Sequence, residues 1–313
     1  MRGMPFLLLI ACTSKDTDTG VAPTTDTDTT ETGSTTDTAD TGTTTVFPPV
    51  FPDFSRRRIA ANKTYTCWLD FNYSTVSCVG DGPIMDYIPN GQFVQITAGE
   101  DHACVLDLNG AATCWGDNTY GQSTVPPQTY FLEITAAEQH TCGLLTTGGL
   151  ACWGNTSEYY GFIYPPEGIF KQVSSGLKAS CAIRDDDVVL CWGYNFFPAP
   201  PVGVAFTRVS VGLSLHACGI TDDNQVTCWG DNSFGQTTSP IEGSYTDVVA
   251  GHIHSCALTS DGGATCWGED TLDRLDVPDG AGFLQLALGD KHSCAMSNSA
   301  IECWGDNQYG QIP

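Results

Sequence analysis

Cysteine and histidine are the residues of this sequence whose spacing could carry chemistry, because thiolates and imidazoles bind metals and transfer electrons or protons. Of the 15 cysteines, all but Cys12 fall into seven pairs whose members lie 9 to 11 residues apart. The pairs are Cys67 and Cys78, Cys104 and Cys114, Cys142 and Cys152, Cys181 and Cys191, Cys218 and Cys228, Cys256 and Cys266, and Cys294 and Cys303. None has the Cys-x-x-Cys spacing that is usual in zinc sites. We therefore predict one structural disulfide per pair, none between repeats, and no metal.

Five of the six histidines stand two residues before the first cysteine of a pair, and His252 falls outside this pattern. The five are His102, His140, His216, His254 and His292. Tyr65 and Ala179 occupy the same place in the other two repeats. Equivalent positions in a ring spread side chains apart instead of gathering them at one atom. We therefore predict a repeated hydrogen-bonding role, with a metal-binding ring as the alternative.

The cysteine pairs mark a repeat, because successive pairs begin 37 to 39 residues apart. In one copy, short β-type runs around Cys104 and Cys114 are separated by a turn at Asn109-Gly110. Residues that face each other across such a hairpin lie about 4.5–5.5 Å apart at Cα, which a disulfide accepts. A unit of about 38 residues with three or four strands is typical of a propeller blade. The sequence predicts an all-β fold, a seven-bladed β-propeller with one disulfide-stapled hairpin per blade; a β-sandwich is the alternative.

A tryptophan follows the second cysteine in the last six repeats, as Cys-Trp-Gly, whereas the first repeat has Cys78-Val79-Gly80. These tryptophans are Trp115, Trp153, Trp192, Trp229, Trp267 and Trp304. A large aromatic side chain that recurs once per repeat indicates packing between blades and needs no ligand to explain it.

The repeat resembles those of the regulator of chromosome condensation family. The resemblance lies in Ile96-Thr-Ala-Gly99-x-x-His102-x-Cys104-x-Leu106 followed by Trp115-Gly116-x-Asn118-x-x-Gly121-Gln122, and it extends over residues 55–313. The ending Gly-Asp-Asn-x-x-Gly-Gln is complete at 116–122, 230–236 and 305–311. The resemblance implies a seven-bladed propeller. The eukaryotic namesake binds chromatin and promotes guanine-nucleotide exchange on a small GTPase, but the acidic charge and the export signal described below argue against both activities here.

The first 46 residues are predicted to lie outside the folded domain. Residues 1–11 have the positive start and apolar run of a signal peptide, and Leu9-Ile10-Ala11-Cys12 resembles the lipobox of bacterial lipoproteins. That resemblance implies cleavage before Cys12 and lipidation of Cys12; a stray apolar terminus is the alternative. In residues 13–46, 16 of 34 are Thr and seven are acidic, which leaves too little apolar surface to offset the entropy of ordering. Residues 12–46 are therefore predicted to be a disordered tether, with calcium binding by its aspartates as the alternative.

Residues 47–313 are enough for one large domain. They contain 29 acidic and 10 basic residues, a formal charge of −19. A surface of this sign repels phosphate backbones, so no nucleic acid is expected as a partner. No later stretch approaches the roughly 20 apolar residues of a membrane span, so membrane contact is expected through the lipid anchor only. Arg56, Arg57 and Arg58 interrupt the acidic composition, either as an anion site or as an exposed strand end.

Repeats three and four lack the Gly-Asp-Asn-x-x-Gly-Gln ending and carry aromatic residues in its place. These are Tyr159, Tyr160, Phe162 and Tyr164 in repeat three, and Tyr194, Phe196 and Phe197 in repeat four. Exposed aromatics on adjacent loops form a platform for a glycan or a protein. We predict that a partner binds Tyr159, Tyr160, Phe196 and Phe197; packing of irregular outer strands is the alternative.

No Ser-His-Asp order, phosphate-binding loop or HExxH helix occurs, so no catalytic residue and no cofactor is predicted. The sequence predicts an exported, lipid-anchored binding module of the cell envelope, attached to the cell membrane or outer membrane, with the propeller in the periplasm or at the cell surface. The expected partner is an envelope protein or a glycan. The alternative is an envelope enzyme that acts on glycans with carboxylates at the propeller mouth. Clustered carboxylates of raised pKa in a deep central pocket would favour the enzyme.

Overall fold

The computed structural model describes residues 57–157, 161–194, 197–240, 242–279 and 282–313. The predictions about residues 1–46, including Cys12, and about Arg56, Tyr159, Tyr160 and Phe196 lie outside these ranges. The described residues form seven three-stranded sheets and one short 3-10 turn at Pro83–Asp86. Among them, no helix is long and apolar enough to cross a membrane.

Each sheet is one blade, numbered one to seven along the chain, and is made of three consecutive antiparallel strands. The inner strands are Ile59–Ala61 (β1), Gln95–Ala98 (β4), Phe131–Ala136 (β7), Phe170–Ser175 (β10), Phe206–Val211 (β13), Tyr245–Ala250 (β16) and Gln285–Leu288 (β19). The middle strands are Tyr65–Leu69 (β2), His102–Leu106 (β5), His140–Leu145 (β8), Ala179–Arg184 (β11), His216–Thr221 (β14), His254–Thr259 (β17) and His292–Met296 (β20). The outer strands are Val76–Gly80 (β3), Ala112–Gly116 (β6), Leu150–Gly154 (β9), Val189–Gly193 (β12), Val226–Gly230 (β15), Ala264–Gly268 (β18) and Ile301–Gly305 (β21).

The disulfides join the middle and outer strands of each blade. Cys104 and Cys114 are directly opposed in the register of β5 and β6, with Cα atoms 4.1 Å apart. The other six pairs have the same arrangement, with Cα–Cα distances of 4.0 to 4.1 Å. The predicted disulfide in every hairpin is therefore confirmed, and the difference in pair spacing is taken up by the turn.

The glycine of Cys-Trp-Gly has a backbone reason for its place. Gly116 ends β6 with a φ of +95°, and a Cβ on it would lie 2.4 Å from the carbonyl oxygen of Asp101. Only glycine avoids both the left-handed strain and that collision. The chain can therefore leave the outer strand close beside the loop that begins β5.

The seven blades close into a ring. Each inner strand contacts the next, and β1 contacts β19. Buried apolar residues form seven clusters, each between two neighbouring blades. The cluster between blades two and three joins Leu106 to Phe131, Ile134 and Trp153. The predicted propeller and the packing of its tryptophans between blades are thus confirmed.

The seam between blades seven and one differs from the other six interfaces. Its buried apolar members are Ile59, Ala287, Cys294 and Met296, and its aromatic rings, Trp68 and Phe71, are only partly buried, whereas each of the other described clusters contains a buried ring. Val79 stands at the tryptophan position of blade one, which removes one such ring. In the described sheets, blades one and seven exchange no strand, and the described contacts across the seam involve side chains.

Candidate functional site

The inner strands surround a cavity of about 120 Å³ on the axis of the ring. Small side chains such as Ala98, Thr135, Ser174 and Ala250 line its middle. We name its two ends by strand direction: the inner strands begin at the N-terminal mouth and end at the C-terminal mouth. The two mouths carry side chains of different kinds.

At the N-terminal mouth, polar side chains bind the backbone of the neighbouring blade. Gln95 Nε2 donates to Ile134 O at 2.9 Å, and Ile134 N donates to Gln95 Oε1 at 3.0 Å. Gln172 makes the same two bonds with Val209, at 3.2 and 2.8 Å. We call this residue of each inner strand the bridging residue; the set is Arg58, Gln95, Glu133, Gln172, Arg208, Asp247 and Gln285. Bridging glutamines are therefore part of the scaffold.

Glu133 is the bridging residue of blade three and is almost fully buried. Its Oε2 accepts a hydrogen bond from Val173 N at 3.0 Å, as Oε1 of Gln95 does from the next blade. Burial raises the pKa of Glu133 to about 7, against smaller lowering effects of the Val173 N–H, Arg57 and Arg208. A protonated Glu133 has a donor where glutamine has Nε2–H. The neutral carboxyl therefore imitates the neighbouring bridges.

Arg57 extends this network across the seam. Its Nη2 lies 3.1 Å from Asp247 Oδ1 in blade six, and its Nη1 donates to Leu286 O in blade seven at 3.1 Å. Beside it, Arg58 N donates to Gln285 Oε1 at 2.7 Å. The sequence-based alternatives for the arginine run, an anion site or an exposed strand end, did not include this role. Arg57 ties blade one to the last two blades of the ring.

Beneath the loops of the C-terminal mouth, the repeated histidines bind the next blade. His102 Nε2 lies 2.8 Å from Thr141 Oγ1, and His292 Nε2 lies 2.8 Å from Thr66 Oγ1 across the seam. Equivalent contacts join His140 to Ser180, His216 to Ser255 and His254 to Ser293. The predicted hydrogen-bonding role is confirmed. No group of His, Cys, Asp and Glu within the described ranges is arranged to hold a metal.

The hydroxyl groups fix which nitrogen of the imidazole carries the proton. Thr141 Oγ1 donates to Gln122 O at 2.9 Å, and the Trp153 indole donates to the same carbonyl at 2.9 Å. Because the hydroxyl has one proton, His102 Nε2 must donate to it, and Nδ1 is left unprotonated. That Nδ1 is buried and has no hydrogen-bond partner. Protonation would therefore bury an unpaired charge.

Burial lowers the pKa of all five buried histidines accordingly. The pKa falls to about 4 for His102, His216 and His292, and to about 3 for His140 and His254. Above their ordinary pKa of about 6.5, these rings are neutral in both the folded and the unfolded chain.

Where a repeat lacks the histidine, the blade that follows it lacks the hydroxyl partner as well. Tyr65 takes the histidine place in blade one, and its hydroxyl lies 2.6 Å from Gly99 O; the hydroxyl position of blade two is then Ala103. Ala179 takes that place in blade four, and the hydroxyl position of blade five is Ala217. Hydroxyls thus occur only where a histidine donates to them, which identifies the pair as one structural unit.

The C-terminal mouth itself is ringed by residues that precede the histidine position. These mouth residues, one per blade, are Lys63, Glu100, Glu138, Leu177, Leu213, His252 and Asp290. They change in charge and polarity around the ring, although the residue before them is glycine in five of the seven blades. Lys63 Nζ lies 3.9 Å from Glu100 Oε1, and His252 is paired with Asp290. The mouth residues therefore bond mainly to one another.

Six of the mouth residues, together with Asn62, line a cavity of about 130 Å³. The carboxylates of Glu100 and Asp290 lie on the side of blades seven and two. Leu177 and Leu213 of blades four and five form the facing wall. The cavity is therefore charged on one side and apolar on the other.

Charges of both signs act on the carboxylates of this mouth. The pKa of Glu100 is raised by burial first and then by the charges of Glu138, Asp101 and Asp290, against a lowering effect of Lys63. The pKa of Asp101 is raised by burial and by Asp117 on the neighbouring loop, again against Lys63. The pKa of Asp290 is lowered, first by its hydrogen bond with His252. A further positive charge beside Glu100 and Asp101 would favour their ionised forms.

The structure places the aromatic residues of blades three and four in different environments. Phe162 is buried and stacks on the His140 ring at a centroid distance of 4.6 Å, whereas Tyr164 is exposed. Phe197 is half-buried and packs beside the cluster between blades four and five. The ammonium of Lys178 lies 5.9 Å from the ring of Tyr194.

Sequence reasoning missed both the mouth residues and a set of exposed apolar residues around them. Tyr120, Phe234, Leu272 and Tyr309 are 40 to 51% exposed and stand at equivalent places in the loops that follow the outer strands. Side-chain bonds hold such a loop rigid: Tyr120 N donates to Gln122 Oε1 at 2.8 Å, and Gln122 Nε2 donates to Asp117 Oδ2 at 2.8 Å. The available signal was variation at fixed places inside an otherwise regular repeat.

Comparison with protein families agrees with this architecture. The sequence model of the "Regulator of chromosome condensation (RCC1) repeat" matches residues 93–122, 170–197, 206–236 and 245–272, which lie in blades two, four, five and six. A search of curated proteins found no match.

Several solved structures are similar over most of the chain. The CRINKLY WD40 ectodomain of the Arabidopsis thaliana receptor kinase ACR4 is 27% identical, with a TM-score of 0.70 over 82% of this chain and 98% of that one. The ectodomain of the Physcomitrella patens receptor kinase CR4 is 25% identical, with a TM-score of 0.69 over 80 and 73%. Prp20p from Saccharomyces cerevisiae, at 17% identity and a TM-score of 0.65 over 82 and 84%, shares the fold. The chain therefore carries regulator of chromosome condensation repeats, folded as a seven-bladed β-propeller with a disulfide in each blade.

Proposed function

We propose that this protein is a lipid-anchored module that binds a protein or glycan of the cell envelope at its C-terminal mouth. The observation that carries the proposal is that the residues that line this mouth and the buried histidines beneath it have different roles. The buried histidines join five pairs of neighbouring blades there, whereas the mouth side chains add two partly exposed ion pairs between blades, Lys63–Glu100 and His252–Asp290. Varied side chains that line a cavity and carry little of the bonding of the scaffold are what a binding site requires.

Two observations indicate an exported protein with a binding role. The described domain contains seven disulfides, which persist in oxidising compartments. Two of the similar structures are ectodomains of receptor kinases. Attachment through lipid on Cys12 and residence in the bacterial envelope belong to the proposal and rest on the sequence.

The aromatic loops of blades three and four are proposed to extend the binding surface. Tyr194 N donates to Lys178 O at 2.9 Å, directly after the mouth residue Leu177. The loop that follows Tyr194 thus begins beside the apolar wall of the mouth. We propose that Tyr159, Tyr160, Phe196 and Phe197 contact the same partner from this side.

Photo-crosslinking in cells tests the location of the partner. A photoreactive residue replaces Leu213 at the C-terminal mouth or, as the matched control, Leu108, which is exposed in the β5–β6 turn on the opposite side of the ring. We expect adducts from position 213 and none from 108, with protease or glycosidase digestion giving the class of partner. Adducts from 108 alone, or equally from both, would overturn the proposed surface.

The anchor is tested separately by mass spectrometry of the full-length protein purified from membranes. We expect a chain that begins at a lipidated Cys12, and an unprocessed, unlipidated chain for Cys12→Ala. An intact N-terminus without lipid on the native protein would show that the proposed anchor is wrong.

One observation favours an enzyme as the second candidate. Glu133 has its pKa raised to about 7 in the central cavity, as a general acid for glycoside hydrolysis requires. Gln95 and Gln172 fill the same place in their blades, which favours a structural role for Glu133. Hydrolysis of a glycan panel by the full-length protein, lost on Glu133→Gln, would establish the enzyme; no hydrolysis would reject it.

A further inference from the structure

We propose that the cavity of the C-terminal mouth takes a single lysine or arginine side chain from a partner protein. The inference rests on the proposed function and names the chemistry of the partner. The aliphatic stem would lie on Leu177 and Leu213, and the cationic head would lie between Glu100 and Asp290.

The shape of the cavity is the first argument. About 130 Å³ is enclosed by six mouth residues and Asn62, which is room for one long side chain. One wall is apolar, from the neighbouring blades four and five, and the facing wall carries the carboxylates. Lysine and arginine have this same division, since a stem of methylene groups ends in a charged head. Among the common side chains, these two match both walls at once.

The charge around the cavity is the second argument. Glu100, Glu138 and Asp290 belong to the mouth ring, and Asp101 and Asp117 lie on the loops beside it. The basic residues are Lys63, which pairs with Glu100, His252, which pairs with Asp290, and Lys178 and Lys291 on the mouth loops, so five carboxylates face three lysines and one histidine. An incoming cation therefore meets an excess of negative charge, whereas an anionic sugar or an acidic peptide is repelled.

The rigidity of the walls is the third argument. Leu213 N donates to Gly251 O at 2.9 Å, and Glu100 N donates to Ala137 O at 3.2 Å, so the mouth loops of neighbouring blades are bonded to each other. The buried histidine contacts lie directly behind them. A preformed site loses little conformational entropy on binding.

The surroundings suit a protein partner with further contacts. Phe234, Leu272 and Tyr309 are exposed on consecutive blades five, six and seven, and Tyr120 is exposed on blade two. Asp117 N and Asp306 N donate to the carbonyls of Asp101 and Lys291, which places these loops beside the mouth loops. A basic segment inserted in the mouth would thus be flanked by apolar side chains that a neighbouring part of the partner can cover.

Three end-capped pentapeptides, titrated against the full-length protein, test the proposal. They are Gly-Gly-Lys-Gly-Gly and its two relatives with norleucine or glutamate in place of lysine. Norleucine keeps the stem without the charge, and glutamate reverses the charge. We expect the lysine peptide to bind about tenfold more tightly than the norleucine peptide, and the glutamate peptide to bind least. Equal binding of the lysine and norleucine peptides would overturn the proposal.

Variants assign the effect to the two walls. The double change Glu100→Gln and Asp290→Asn should lower lysine binding to the norleucine level. Leu177→Ser with Leu213→Ser should weaken both peptides alike. The matched control removes two exposed carboxylates elsewhere, by Glu167→Gln and Glu302→Gln, and should change neither. An equal loss in the control would show that only net charge matters and would overturn the site.

A further variant keeps the test decisive if the double changes impair folding. Leu213→Lys should place a lysine in the cavity from the protein itself and so block the lysine peptide. Unchanged binding to this folded variant would contradict the proposal. Crosslinks from position 213 without lysine preference would refute this inference alone, whereas lysine preference without crosslinks would refute the proposed envelope partner.

Discussion

At the N-terminal mouth, Gln95 and Gln172 bond directly to the backbone of the next inner strand. At the C-terminal mouth, the buried histidines behind the loops join the blades, and Glu100 adds a partly exposed ion pair with Lys63. The two ends of one channel are therefore built on different plans. At the N-terminal mouth, the side chains at the opening themselves bond to the next blade. At the C-terminal mouth, the histidines that bond to the next blade are buried and follow the mouth residues in the sequence.

This difference explains where the repeat tolerates variation. Glutamine fills three of the seven bridging positions, and Gln95 and Gln172 both donate to and accept from the neighbouring inner strand, whereas Arg58, Arg208 and Asp247 do not offer both a donor and an acceptor. The mouth residues are more varied, being acidic, basic or apolar in different blades. We therefore expect that substitutions at the C-terminal mouth can change binding specificity with little loss of stability. Four measurements test this difference between the two mouths.

Acid should produce the largest effect, and it should act on the C-terminal side. The folded pKa of the five buried histidines is about 3 to 4, below the ordinary value of 6.5, so the unfolded chain binds more protons between these values. Stability is therefore complete above pH 6.5 and is lost as the pH falls toward 4, by about 2 kcal/mol per histidine at pH 5 as an upper figure. Urea unfolding at pH 5, 6, 7 and 8 with disulfides intact measures this; a flat profile would contradict the buried neutral rings.

Arg57→Ala should produce the next largest effect by opening the seam at the N-terminal mouth. The change removes the ion pair of the largely buried Asp247 and the bond to Leu286 O, while the Val248 N–H bond to Asp247 and the charge of Arg208 remain. Loss of one member of a buried pair typically costs about 3–5 kcal/mol, and the partial exposure of Arg57 places this case near or below the lower limit. Urea unfolding at pH 7 measures the loss, and Lys171→Ala, which removes an exposed pair with Asp187, is the control and should cost little.

Glu133→Gln should raise stability at high pH and leave it unchanged in acid. Because the folded pKa of Glu133 is about 7, above the ordinary 4.5, the folded chain binds more protons between pH 4.5 and 7, and stability falls as the pH rises through that window. Glutamine removes this loss, a gain of about 3 kcal/mol at pH 8 as an upper figure, which vanishes near pH 4.5. The reciprocal change Gln95→Glu should introduce the same pH dependence in blade two. If both variants follow the profile of the unchanged protein, the bridging role assigned to Glu133 is wrong.

Substitution of mouth residues should have the smallest effect on stability. Glu138→Gln removes a carboxylate that accepts a hydrogen bond from the adjacent Gln139 side chain, and we expect a change within about 0.5 kcal/mol. Thermal unfolding at pH 7 measures it. A loss as large as that of Arg57→Ala would mean that the mouth ring holds the propeller together after all.

The repeat made the fold predictable, because the cysteine spacing recurs seven times and Cys-Trp-Gly six times, and both are short-range signals. Even the histidine role followed from its repetition, and the partner position, Thr141 or Ser180, is visible in the sequence once the pairing is known. The site was harder to predict, because mouth residues meet only when the ring closes. Lys63 and Glu100 lie in consecutive blades, but Leu177 and Asp290 lie in blades four and seven. These two residues line the same cavity only because the seven blades form a ring.

The seam could not be predicted for a related reason. Arg57 was noticed because its charge is unusual at the start of an inner strand, yet its partner Asp247 lies 190 residues away. Nothing in the local sequence of either residue points to the other. Among the aromatic residues of the irregular loops, Phe162 is buried against His140 and Phe197 is half-buried, whereas the predicted binding role of Tyr159, Tyr160 and Phe196 stays a prediction.

Each disulfide joins two strands of one hairpin, and each blade is a continuous stretch of sequence. A chain that crosses a membrane as an extended thread can therefore oxidise each blade as it emerges, with the correct partner about ten residues away. Fourteen cysteines pose seven separate local choices, and a mispaired bond has to skip a nearer thiol. The ring itself can close only after Gln285–Leu288 has followed, and six of the seven disulfides, all but Cys294–Cys303, precede that strand in the chain and can form before closure.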